Sequence, residues 1–334
     1  MVFLAGAAAI AVVGTRMTGL ADRLADRTGL GEAVAGAALL GAATSLPGIV
    51  ASVTAALDGR AEMALSNAVG GIAAQTAFLA VADLCYRKAN LEHAAASAAN
   101  MVQAALLVVL LTSLLAAIQA PAVTVWGVHP ITPALFVAYV FGLRLIAATR
   151  DDPAWEPEET PETVPDVDES GSDDASLRRL WAEFLAAAAV VGVAGWVVTR
   201  ATVTLAAEWG FNQTVAGALF TAVATSLPEL ITSVAAVRRG ALTLAVGGVI
   251  GGNCFDTLFA AAADVAYRDG SLYHAATAHS NRETLLLAVS AAMAGVLLLG
   301  LLDRQKRGPA TIGWESCVVL VLYAGTLGLI GLAM

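Results

Sequence analysis

Two carboxylates stand in stretches that are otherwise apolar: Glu229 follows Pro228 in ATSLPELITS, and Asp256 lies in GGVIGGNCFDTLF. An acid surrounded by hydrocarbon is so unfavourable that it marks an ion or proton path by default. Thr225 precedes Glu229 by four residues, so both can share one helical face. Pro228 has no N–H to give, which leaves the carbonyl of Ala224 without its helical partner, beside the hydroxyls of Thr225 and Ser226. The same construction recurs in ATSLPGIVAS, where Pro47 frees the carbonyl of Ala43 beside Thr44 and Ser45. Carboxylates, hydroxyls and free carbonyls are hard oxygen ligands, suited to Na+ or Ca2+ rather than to soft metals. Either proline stretch alone could be a kink healed by its own hydroxyls. Two acids in neighbouring apolar segments favour an ion site, with Glu229 and Asp256 as its charged, metal-ligating groups.

The elements that hold these residues must lie in a membrane. Of 334 residues, 58% are hydrophobic and 13% charged, against the ~25% charged of soluble domains. Apolar runs long enough to cross a ~30 Å hydrocarbon core recur along the chain. Ten spans are expected, centred near residues 11, 45, 72, 110, 136, 192, 225, 254, 292 and 323. The fold class is therefore an all-α integral membrane protein, and soluble enzymes, nucleic-acid binders and disulfide scaffolds are excluded. The first run, Val2 to about Leu20, reads as a spanning helix rather than a cleaved leader. The net charge of −9 comes from one segment, since eleven of the 27 acids lie between Asp151 and Asp174. Three cysteines, Cys85, Cys254 and Cys317, form no spaced redox or metal motif. If the N-terminus is outside, fourteen Lys and Arg fall in interior loops and four (Arg60, Arg200, Arg268, Arg282) outside. That bias places the protein in the plasma membrane with both termini outside and the acidic segment in the cytoplasm.

Residues 29–100 align without a gap on residues 210–281, at a constant offset of 181, with 29 identities in 72 positions. One offset holds five spans, an odd number, so the second copy enters the membrane upside down. Inverted repeats of this kind build secondary transporters, with the substrate site near the midplane where the copies meet. The expected organisation is a first five-helix repeat over 1–150 (motif 43–76), an acidic linker over 151–178, and a second repeat over 179–334 (motif 224–257). Thr44, Ser45 and Gln75 of the first copy and Thr225, Ser226 and Asn253 of the second are the neutral candidates for cation binding around Glu229 and Asp256.

These residues resemble the cation/Ca2+ antiporters, including the prokaryotic sodium/calcium exchangers. That family carries two inverted motifs of the form G-T-S-L-P-E followed by G-N-x-x-G-S-N-x-x-N/D. The resemblance is specific in the second repeat, where Glu229, Asn253 and Asp256 keep the pattern. It implies cation-for-Ca2+ exchange by alternating access, with spans one and six rocking against the rest and no cofactor beyond the transported Ca2+ and Na+ or H+. The first repeat departs from the pattern: Gly48 stands where the family has its other Glu, Gln75 replaces an Asn, and Gly71 and Gly252 replace serines. Asn67 keeps a family Asn, and its counterpart is Gly248.

Two carboxylates balance one Ca2+, two Na+ or two protons. At an effective dielectric of about 20, an unmatched unit charge a few ångströms away is worth several kcal/mol, so exchange closer to electroneutral than three-for-one is expected. Ca2+ against Na+ or H+ is the first reading. A Na+/H+ or other monovalent antiporter with little Ca2+ transport is an alternative, and a cation channel a more distant one. A hydrolase lacks H-E-x-x-H and G-x-S-x-G. The partners are then inorganic cations and the bilayer, in a monomer or weak homo-oligomer. Asp83 and Asp264 correspond across the repeat and lie about 12 Å beyond Gln75 and Asp256. With Tyr86/Tyr267 and Arg87/Arg268 beside them, they read as interfacial anchors. His93 and His274 read as polar starts of the next spans. Asp166–Leu177 partly mimics a Ca2+ loop, but Leu177 replaces its last acid, and the linker reads as a solvated tether.

Overall fold

In a computed structural model of the protein, residues 1–151, 156–164, 176–208, 221–308 and 312–332 are described. The first half runs α1 (Val2–Thr28), α2 (Gly31–Ala35), a π-helical turn (Gly36–Gly41), α3 (Ala42–Thr44), α4 (Leu46–Leu57), α5 (Ala61–Cys85), α6 (Leu91–Ala94), α7 (Ala98–Gln119) and α8 (Ile131–Asp151). The second half runs α9 (Leu177–Glu208), α10 (Ala222–Thr225), α11 (Leu227–Arg239), α12 (Leu242–Ala266), α13 (Leu272–Thr277), α14 (Arg282–Asp303) and α15 (Trp314–Leu332). Among the described residues there is no strand, only an isolated bridge between Val125 and Val128.

Seven helices (α1, α5, α7, α8, α9, α12 and α14) are long and apolar enough to span a membrane. The segment Gly31–Thr44 with α4, bent by 50° at the break at Ser45, is long and apolar enough for an eighth when the bent pair is counted as one span. Of the remaining two expected spans, α15 is a shorter apolar helix, and the one centred near 225 is described only from Thr221 onward.

The bend has the cause the sequence suggests. Ser45 and Ser226 sit at the breaks α3/α4 and α10/α11, and Pro47 and Pro228 fall in the first turn of the helix that follows. There the missing N–H would have had no intrahelical acceptor. Small residues then let the broken segment press onto its neighbour. A Cβ added at Gly251 would lie 2.2 Å from the Cβ of Ala37, so α12 and the π-helical turn meet at backbone distance. Close backbone approach of this sort is how membrane helices gain packing energy without help from water.

α5 and α12 form the centre. Of their apolar windows 78% and 89% are buried, against 28% in α1 and α8. The outer helices turn side chains such as Val12, Val137, Phe141, Val193 and Val321 outward, as lipid-facing surfaces do.

Asp83 and Asp264 depart from the expected role of interfacial anchors paired with arginine. Both are fully buried. Asp83 accepts hydrogen bonds from the amides of Leu91 (2.7 Å) and Gly313 (3.0 Å) and from the Ser316 hydroxyl (3.1 Å). Asp264 accepts from the amides of Leu272 (2.9 Å) and His129 (2.8 Å) and from the Thr132 hydroxyl (2.7 Å). Each therefore caps the short helix after its own span and ties in the start of a distant one, α15 or α8. A carboxylate that accepts from free N-terminal amides satisfies groups the helix cannot pair itself.

The acidic linker is fastened along its described part, residues 156–164, rather than free throughout. The Val164 amide donates to the Ala94 carbonyl (3.0 Å), and Arg304 donates to the Glu158 carbonyl (2.6 Å) and the Thr163 hydroxyl (3.2 Å). His93 lies between the Arg304 carbonyl (2.7 Å) and the Thr160 hydroxyl (2.9 Å). Lys306 pairs with Glu162 at 2.7 Å, and its ammonium holds that carboxyl below the ordinary glutamate range. The Ca2+-loop-like stretch lies largely outside the described residues.

Candidate functional site

The two breaks bring Ser45 and Ser226 to the central helices α5 and α12, which contribute Gln75 and Asp256. The Ser45 hydroxyl stands 2.5 Å from Asp256 Oδ1 and 3.4 Å from Glu229 Oε1. The two carboxylates are thus no farther apart than the sum of those distances. One Ca2+ with oxygens at about 2.3–2.6 Å on either side spans roughly 5 Å, somewhat less than that upper bound. The Gln75 amide donates to Asp256 Oδ2 at 2.6 Å and reaches the Ser226 hydroxyl at 3.3 Å. Ser45, Gln75, Ser226, Glu229 and Asp256 are all buried.

The arrangement has an approximate twofold symmetry that follows from the repeat. Ser45 and Ser226 are counterparts, and so are Gln75 and Asp256. The bond from Ser45 to Asp256 is therefore the mirror of the contact between Ser226 and Gln75. Gln75 and Asp256, an amide and an acid one methylene shorter, face each other across the axis.

Several oxygens here have no donor. Glu229 Oε2, Gln75 Oε1 and Asn253 Oδ1 are buried and unpartnered. Buried acceptors without a donor are rare in native interiors, and a cation is the partner that satisfies an acceptor without being one. Glu229 also lies in the first turn of α11, where the helix N-terminus offsets part of its charge. A cavity of about 10 Å3, room for roughly one water, touches it between Thr44, Thr232, Ser233 and Gly248. A larger crevice of about 100 Å3 is lined by Pro47, Thr54, Asp58, Arg60, Trp196 and Arg200 and opens beside the first break.

Not every candidate joins the centre. The Thr225 hydroxyl bonds to the Ala222 carbonyl (3.0 Å) and that of Thr44 to the Leu40 carbonyl (2.8 Å). Asn253 donates to Thr76 at 2.9 Å rather than meeting the acids. One participant was missed from the sequence: Thr76, matched by Thr257, carried a repeat signal that could have found it. Gly71, which stands where the family motif has a serine, faces the centre, since a Cβ there would lie 3.6 Å from Ser226 Oγ and 3.8 Å from Asp256 Oδ2. Among the described residues no three of His, Cys, Asp and Glu converge as a metal-holding group. The centre combines two acids with neutral oxygens.

A helical membrane protein with two broken helices meeting at a buried, oxygen-lined centre belongs to the class of secondary transporters. The sodium/calcium exchanger protein model matches residues 1–146 and 179–331, and the chain belongs to that family. It is a transporter and not an enzyme. The fold is similar to that of the sodium-calcium exchanger NCX_Mj soaked with 10 mM Na+ and zero Ca2+, with a TM-score of 0.73 at 19% identity over 98% of this chain and 97% of that one. It is equally similar to the form soaked with 2.5 mM Na+ and 0.1 mM Ca2+, with a TM-score of 0.72 at 18% identity over 98% and 96%. Among curated relatives, CaxA of Alkalimonas amylolytica, named as a candidate antiporter, is 30% identical over 129 residues, 39% of this chain and 38% of CaxA. The inner membrane protein YrbG of Escherichia coli K12 is 45% identical over 60 residues, 18% of each chain. The chain thus spans well under half the length of the curated relatives it matches.

Proposed function

We propose that the protein exchanges Ca2+ against Na+ or H+ by alternating access at this centre. Glu229 and Asp256 are the charged ligands, and Ser45, Ser226 and Gln75 supply the nearest neutral oxygens. Thr44 lines the small cavity beside Glu229, and Thr225 and Asn253 stand one layer out. The observation that carries this reading is the Ser45 hydroxyl lying between two buried carboxylates, with Glu229 Oε2 and Gln75 Oε1 left without donors. Two acids close enough to share one hydroxyl repel each other, and a divalent cation, two monovalent cations or protons relieve that repulsion.

Charge balance then favours a total cargo charge of two in each direction, so transport moves little net charge. The 1–150 and 179–334 halves act as the inverted repeats, and the acidic segment faces the cytoplasm. Support for that orientation comes from one end of the bundle, where Arg16 pairs with Glu183, Arg239 with Asp22 and Lys306 with Glu162.

The test is radioactive Ca2+ uptake into proteoliposomes under imposed Na+ or proton gradients, with Glu229→Gln and Asp256→Asn beside the wild type. Saturable uptake that needs a counter-ion and is lost in both variants is expected. Counter-ion-dependent Na+ flux without Ca2+ flux would instead establish the monovalent antiporter, and current without a counter-ion would establish a channel.

A further inference from the structure

The two halves of the site are unequal at one pair of positions. Glu229 and Gly48 are repeat counterparts, each following its break and lying in the first turn of the next helix. The space a side chain at 48 would enter is not empty. A Cβ built on Gly48 would stand 2.5 Å from Cε2 of Phe259 and 3.3 Å from two further ring atoms. Phe259 is 2% exposed and lies three residues beyond Asp256 on α12, hence on the face that carries the acid. Its ring is braced edge-on by Phe255 at 6.0 Å, and Phe255 in turn by Tyr139 at 5.9 Å.

The backbone opposite cannot withdraw either. The Asn67 amide holds the Gly48 carbonyl at 3.1 Å and the Ser52 hydroxyl at 2.9 Å. In the other half the counterpart of Asn67 is Gly248, which has no side chain to grip position 229. There the counterpart of Phe259, Phe78, is only partly buried.

We propose that Phe259 is a specificity-determining residue: its braced ring occupies the place of a second-repeat-like carboxylate at position 48 and so fixes the site at two acids. The proposal rests on the antiport reading above. A site with two acids takes one divalent or two monovalent cations, whereas a third carboxylate would admit one more monovalent charge. Gly48 and Phe259 therefore act as a coupled pair, and charge can be restored only if the ring gives way.

The experiment uses the full-length protein in proteoliposomes and measures Ca2+ uptake, net current and thermal stability for the wild type, Gly48→Glu, Phe259→Ala and the double variant. Gly48→Glu alone is expected to transport poorly and melt earlier, because its Cβ meets the ring. The double variant is expected to gain about tenfold or more in apparent Ca2+ affinity, as an added carboxylate at close range implies. It is also expected to move one more monovalent charge per Ca2+ than the wild type. The proposal is overturned if Gly48→Glu alone shows the same gain, or if the double variant transports with wild-type affinity and charge movement. Should the double variant not fold, Gly48→Ala and Gly48→Ala/Phe259→Ala carry the test with a single carbon. Slower uptake and a lower melting temperature in the first, both recovered in the second, support the pair; a Gly48→Ala indistinguishable from the wild type refutes it. If the wild type shows no counter-ion-driven flux of Ca2+ or Na+, the antiport reading has failed, while coupling between positions 48 and 259 in melting temperature still decides whether the ring fills that place.

Discussion

At equivalent positions the first half of the site carries Gly48, Asn67 and Gln75, and the second carries Glu229, Gly248 and Asp256. The scaffold around them is nearly the same in both: Ser at the break, Pro in the next turn, and a buried aspartate (Asp83 or Asp264) tying down the loop beyond. What duplication preserved is the device that breaks and positions helices. What diverged is charge, now gathered in one half. The difference teaches that geometry and charge are separable in this fold, because a neutral residue can hold the place of a charged one across the axis. Gln75 does so by donating to Asp256 where an acid would repel it.

The sharpest way to break the comparison is at the acids. Glu229→Gln and Asp256→Asn are each expected to lower Ca2+ or Na+ exchange by about 100-fold or more, since hydrogen bonds and charges in a dry site are worth several kcal/mol. Gln75→Ala, which keeps both acids, should leave measurable exchange; equal losses at Gln75 and Asp256 would mean that charge is not segregated as described. Next come the loop clamps, where the halves should behave alike. Asp83→Ala and Asp264→Ala each leave three donors without their acceptor, at about 1–3 kcal/mol per unsatisfied group. Similar, large drops in melting temperature are expected, and a drop in only one would show that the clamps are not equivalent.

The serines should differ. Ser45 reaches both carboxylates and Ser226 only the Gln75 amide. Hydrogen bonds to charged groups contribute about 1.5–3 kcal/mol and neutral ones about 0.5–1.5. Ser45→Ala is thus expected to raise the half-saturating cation concentration about tenfold, and Ser226→Ala only about twofold, in the same uptake assay.

The smallest effect concerns Glu92, at the end where the linker is fastened. Burial, and then the charges of Asp83 and Glu315, push its carboxyl well above the ordinary range. An acid whose folded value is raised binds its proton more tightly in the folded state, so it stabilises most below its ordinary range. That contribution is lost as pH rises from about 4.5 through the raised value. Glu92→Gln should flatten the fall in melting temperature with rising pH across that window. Its repeat counterpart, Tyr273, carries no acid at that place.

Much of this was legible from sequence because it depends on local chemistry. The offset of 181 exposed the two breaks, Pro47 and Pro228 dictated where the helices bend, and Glu229 and Asp256 stood out against hydrocarbon. The hydroxyl bridge at Ser45 was legible only as a candidate, since which of two serines touches an acid depends on the crossing of α4 with α12. Asp83 and Asp264 were misread as surface anchors because their distance along the helix was counted, while the loops that fold back over them were not visible. Thr44, Thr225 and Asn253 have the right oxygens, but where their hydroxyls and amide donate, to backbone carbonyls and to Thr76, is set by packing that spacing does not reveal. Phe259 was passed over because a phenylalanine on an apolar helix looks like ordinary packing until the glycine opposite it is seen.

The fastening of residues 156–164 changes what the connection between the halves is. It grips α6 from one half and the turn after α14 from the other, so the join is a clasp and not a leash. A chain severed between 165 and 175 would keep every one of those grips. Two separately translated polypeptides, held by those grips, are then expected to assemble into one transporter.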